Sequence, residues 1–99
     1  MIKHVILWTI KERYQGEEKK TIIDNIRTGL EGLKGKVPGL VEIRVHVDKY
    51  AGNADLMLES CFEDEAALEG YRIHPDHVAV ADGKVRPYTD ARMVLDYRI

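Results

Sequence analysis

The chain has 99 residues, 44% of them hydrophobic, and a formal charge of -2 from 15 basic and 17 acidic side chains. That length supports one domain with one modest core, burying roughly 65% of the surface its unfolded chain exposes, and the near-neutral balance removes any general drive toward nucleic acid or an anionic membrane. The lone cysteine, Cys61, excludes an internal disulfide and reads as a small buried hydrophobe in an apolar run, and no stretch approaches the ~20 apolar residues that span a bilayer.

Ile2 to Ile10 is short and rich in β-branched and aromatic residues, which predicts a strand. It contains His4 and lacks a small-residue cleavage site, so no secretory leader is expected here, and a cytoplasmic location is expected. Ile2, His4, Ile6, Trp8 and Ile10 share one face, with Val5 and Leu7 on the other. A strand apolar on both sides needs cover on both, and a second subunit is the expected cover.

Residues 17–35 place Ile22, Ile23, Ile26, Leu30 and Leu33 at spacings of three and four, opposite Glu17, Lys20, Asp24, Arg27, Glu31 and Lys34. This predicts an amphipathic helix with a solvated face, ended by Gly35 and turned by Pro38-Gly39. Gly29 and Gly32 weaken it unless they admit a close neighbour, expected here to be the sheet. Leu40 to Asp48 alternates, with Val41, Ile43, Val45 and Val47 on a dry side and Glu42, Arg44, His46 and Asp48 on a wet one. After a loop at residues 50–54, Asp55 to Phe62 sets Leu56, Leu58, Ser60 and Phe62 against Met57, Glu59 and Cys61, and the two strands are expected to pair as a hairpin.

Asp64 is suited to cap a short helix from Glu65 to Tyr71. A further helix begins at Pro75, with Val78, Ala81 and Val85 on one face and an interruption at Gly83. The last strand runs from about Arg92 to Tyr97, with Met93, Leu95 and Tyr97 on one side. The order β-α-β-β-α-β predicts an α+β, ferredoxin-like sandwich. Helices on one face of such a sheet leave the other free, so a homodimer is expected.

The densest chemistry lies in Tyr71-Arg72-Ile73-His74-Pro75-Asp76-His77. Pro75 disfavours helical geometry at His74 and suits a first helical position, which puts Asp76 and His77 in a first turn. There, outward N–H groups disfavour an imidazolium, so His77 is expected to stay neutral near pH 7 and to accept a proton. The plain alternative is that these are ordinary residues of a connecting helix. His74, Asp76 and His77, with His4 brought near by folding, form only a weak divalent-metal set because no fourth ligand stands at a recognisable spacing, so no cofactor is expected. Trp8 reads as core packing, His46 has no assignable role, and Tyr14, Tyr50 and Tyr88 are loop residues able to rim a cleft.

The opening Ile2-Lys3-His4-Val5-Ile6-Leu7, the Gly35-Lys36-Val37-Pro38-Gly39 turn, the stretch from Tyr71 to His77 with Val78-Ala79-Val80 after it, and the Leu95-Asp96-Tyr97 ending resemble, in order, the stress-responsive A/B barrel (Dabb) family. The resemblance implies a dimeric α+β barrel, two four-stranded sheets closing on each other. A plant polyketide cyclase of that family has a tyrosine and a histidine six apart around a His-Pro step and a first-strand histidine. Carried over, His77 would be the base, Tyr71 the hydrogen-bond donor to an enolate or carbonyl, and His4 a polar anchor. The expected ligand is then a small carbonyl or aromatic compound, handled by cyclase, isomerase or lyase chemistry. The competing expectation is a non-catalytic, stress-associated dimer that binds a ligand or only supports an assembly.

Overall fold

The computed structural model describes residues 1–99. Strand β1 (Ile2–Ile10) leads into helix α1 (Gly16–Glu31), then strands β2 (Leu40–His46) and β3 (Leu56–Phe62). Helix α2 (Glu65–Ile73), helix α3 (Pro75–Val80), a π-helical segment (Ala81–Val85) and strand β4 (Thr89–Arg98) follow. The sheet order is β2-β3-β1-β4 with antiparallel neighbours throughout, so β1 and β3 are central and the fold is the expected ferredoxin-like α+β arrangement.

The even residues of β1 are all buried against the helices, while Val5 and Leu7 are half-exposed on the bare face. Ile22, Ile26 and Leu30 of α1, Leu68 and Tyr71 of α2, and Val85 of the π segment close over them. The helix α1 is shorter than its apolar periodicity predicts. It stops at Glu31, and Leu33 and Val37 reach the core from the turns beyond. The strand β2 departs from strict alternation as well. A bulge between Leu40 and Glu42 turns Leu40 into the core with Ile43 and Val45 and leaves Val41 exposed.

Two glycines matter for this geometry. Gly39 has φ +79°, and a Cβ there would lie 2.4 Å from the Cβ of Ala67, so only glycine lets the start of α2 approach this turn. Gly29 faces the α3 side and not the sheet. A Cβ on it would meet Val80 at 3.0 Å and Lys84 at 3.1 Å, so its bare backbone brings the π segment down onto α1.

Asp64 caps α2 by accepting from the Ala67 N–H at 2.8 Å, and Pro75 occupies the first turn of α3, both as expected. The helices pack over β1, β2 and β3. In contrast, β4 is exposed almost throughout and runs longer than its apolar alternation predicts. No helix is long and apolar enough to cross a membrane.

Candidate active site

A cavity of about 180 Å³ lies between the uncovered strand β4 and the helices. Its floor is the helix-side face of the sheet, where Ile6, Trp8 and Leu58 are apolar. His4, Tyr71 and His77, the three residues singled out from the sequence, all line it. The helix α2 delivers Tyr71 from its last turn, where the side chain is 1% exposed and packs on Phe62 at 5.0 Å between ring centroids. His77 stacks on Tyr71 with centroids 4.0 Å apart, and His4 meets the same phenol edge-on at 6.1 Å.

The break between α2 and α3 sets this stacking. His74 is extended at φ -64°, ψ 132°, as proline demands of the residue before it, and its ring accepts from the Asp76 N–H at 3.1 Å. The chain therefore turns back, and His77 falls beside Tyr71 with its Nδ1–H donating to the Arg72 carbonyl at 3.3 Å. That bond assigns the proton to Nδ1 and leaves Nε2 as the ring's only lone pair.

Asp96, bonded to two residues of the cavity wall, is the candidate-site residue that sequence reasoning passed over. Strand register pairs it with His4, 92 positions earlier, and the His4 Nδ1–H donates to its Oδ1 at 2.5 Å. The other carboxylate oxygen accepts from Arg72 at 2.8 Å. The signal was present in the alternation of β4, which puts Asp96 opposite Leu95 and Tyr97. It gains meaning only once β4 is known to lie beside β1.

Electrostatics follow from this burial. The Tyr71 hydroxyl is held well above its ordinary range because burial disfavours the phenolate, and no protein group bonds to it. His77 is lowered from 6.5, first by burial, against the bond to the Arg72 carbonyl and with help from the nearby charges of Arg86 and Arg72. The direction expected from the sequence holds, but its leading cause is desolvation and not the helix terminus. His4 is lowered from 6.5 too, burial outweighing the support of Asp96.

A folded-state imidazole pKa below the unfolded value means that the unfolded chain binds protons first as pH falls. Stability from the two neutral rings should be complete above about pH 6.5 and be lost as pH drops through their lower folded values. Urea midpoints between about pH 7 and pH 5 should show the decline, and replacing both rings by asparagine should flatten it. A midpoint unchanged across that range in the parent would refute the reading.

The structure does not bring His74, Asp76 and His77 together: Asp76 is exposed, half-buried His74 is spent on capping α3, and His77 faces the cavity. Trp8 is buried in the core and forms part of the cavity wall. Tyr14 and Tyr88 pack on each other away from the cavity, and Tyr50 is fully exposed. His46 pairs with Glu59 at 3.0 Å on the bare face of the sheet.

Solved structures with this fold include a dimeric ferredoxin-like protein of unknown function from Bacteroides fragilis, at TM-score 0.90 and 24% identity over 99% of this chain and 95% of that one. A Dabb family protein from Mesorhizobium loti gives TM-score 0.75 at 21% identity, covering 99% of this chain and 95% of its own. A hydroxynitrile lyase from Passiflora edulis gives 0.74 at 19%, covering 99% and 92%. No curated protein matches. At these identities the likeness is one of fold. The match to the Stress responsive A/B Barrel Domain, in contrast, runs over residues 2–99, and the chain belongs to that family.

Proposed function

We propose that this protein is a cofactor-independent enzyme that moves a proton on a carbon next to a carbonyl of a small molecule, as a cyclase, isomerase or lyase must. The observation that carries the reading is Tyr71: its hydroxyl is buried and bonded to no protein group, and the residue lines the cavity with His4 and His77 packed on its ring. A buried donor left without a partner costs stability, of order 1–3 kcal/mol, and is accounted for by a ligand oxygen that takes the bond.

In this scheme His77 Nε2 takes the proton from carbon, the electron pair of the broken C–H bond forms a C=C bond, and the carbonyl π pair moves to its oxygen. Tyr71, kept neutral by burial, donates to that developing enolate and does not compete with the base for the proton. His4, oriented by Asp96, offers the Nε2 lone pair to anchor a substrate hydroxyl, and the proton returned to the substrate is the one held on His77. That a lyase from Passiflora edulis shares the fold supports the scaffold's use for chemistry.

The active assembly is a homodimer in which the bare sheet faces meet. Met93, Leu95 and Tyr97 are 70%, 62% and 41% exposed there, beside the half-covered Val5 and Leu7. Structural neighbours from Bacteroides fragilis and Thermobifida fusca are themselves dimeric.

The direct test needs no knowledge of the natural substrate. Small ketones incubated with the protein in deuterium oxide should gain deuterium next to the carbonyl faster than in buffer, read by proton NMR. Exchange at the buffer rate across a varied set of ketones would leave the non-catalytic dimer as the better account.

A further inference from the structure

The cavity carries a positive charge that the proton-transfer scheme does not use. Arg72, Arg86 and Arg92 all line it. Two of the three are already neutralised: Arg72 by Asp96 and Glu69, and Arg86 by Asp82 one turn away. Arg92 has no carboxylate within ion-pair distance. Its place is set by strand register. It pairs with Trp8 on β4, on the same helix-side face as Asp96 and four residues before it, so it stands at the mouth of the cavity whose wall holds His4. The space between is bounded by Ile6, Trp8 and Leu58, and no carboxylate of this chain pairs with this guanidinium.

Resting on the proton-transfer reading, we infer that the substrate carries a carboxylate, bound by Arg92, on a short apolar chain whose carbonyl reaches Tyr71. A guanidinium offers a carboxylate two parallel N–H donors, which fixes the ligand's orientation as well as its sign. The cavity, at about 180 Å³, lies below the roughly 300–1,000 Å³ of pockets for drug-sized ligands, so the acid is small, with an apolar middle to suit the floor. Orientation follows. With the carboxylate at the rim, the carbonyl enters first and meets the buried phenol, and the carbon beside it lies near His77.

Levulinate, an enolisable keto acid, and its neutral methyl ester make a matched pair of probes. In an NMR titration the parent protein should bind levulinate well ahead of the ester. Arg92→Gln should weaken levulinate roughly ten- to hundredfold, the usual weight of a charged hydrogen-bonded contact, while leaving the ester unchanged, and Arg92→Lys should restore part of the loss. The assignment fails if acid and ester bind alike, if neither binds, or if Arg92→Gln affects both equally. Deuterium exchange measured on the same samples separates the two ideas. Exchange into the ester and the acid with no dependence on Arg92 overturns the carboxylate site and keeps the proton transfer; Arg92-dependent binding with no exchange does the reverse.

Discussion

Tyr71→Phe should leave the protein folded and at least as stable as the parent while lowering deuterium exchange into a bound ketone by about 10²–10³-fold, the cost of losing one donor to a developing oxyanion. The combination is diagnostic. A buried hydroxyl bonded to its own protein stabilises the fold, so its removal costs roughly 0.5–1.5 kcal/mol net. Here no protein group bonds the hydroxyl, and the ring's contacts with Phe62, His4 and His77 survive in phenylalanine.

His77→Ala should lower exchange further, by about 10²–10⁴-fold, through loss of the base. It should also loosen the stack on Tyr71, so its stability is the less informative readout. Tyr71→Phe is therefore the decisive variant. Parent-like exchange in that variant, or a melting temperature several degrees lower, would place the phenol among structural residues and remove it from the chemistry.

The second large effect concerns assembly. Leu95→Arg should convert the dimer to a monomer, seen as a halving of mass in sedimentation at micromolar concentration, with the helix and strand signature in circular dichroism retained. Leu95 lies on the bare sheet face next to Val5, its partner in register, and is 62% exposed in the single chain. An isolated chain tolerates an arginine at such a position. An apolar interface does not, since the charge loses its water without gaining a partner, and a change at the centre of an interface costs about 2–4 kcal/mol, thirtyfold or more in Kd. A parent protein that sediments as a monomer would defeat the prediction before the variant is made. A variant still dimeric would move the interface off this face.

The periodicities of the chain are local records of burial, which is why so much of the architecture could be read from them. Four strands, their order along the chain, the Asp64 cap and the Pro75 start of α3 all follow from neighbours within a few positions. The misreadings are of the same scale. Leu33 continues the helical spacing but reaches the core from a turn, and a single-residue bulge exchanged Val41 for Leu40. Neither leaves a distinct trace in hydrophobic pattern, because a turn and a helix can bury the same side chain.

The site divides differently. Tyr71 and His77 are six residues apart across a proline, close enough that local conformation brings them together, and the sequence singled them out. His4 required a family resemblance, and Asp96 and Arg92 emerged only with the sheet. They depend on β4 lying beside β1 in one register, and a shift of one residue would turn both acidic and basic side chains to the opposite face. The sequence alone determined which chemical groups this protein possesses and the elements that carry them. That Asp96 meets His4, and that Arg92 stands at the same cavity, was decided by the pairing of β4 with β1 over more than 80 positions along the chain, where no periodic signal reaches.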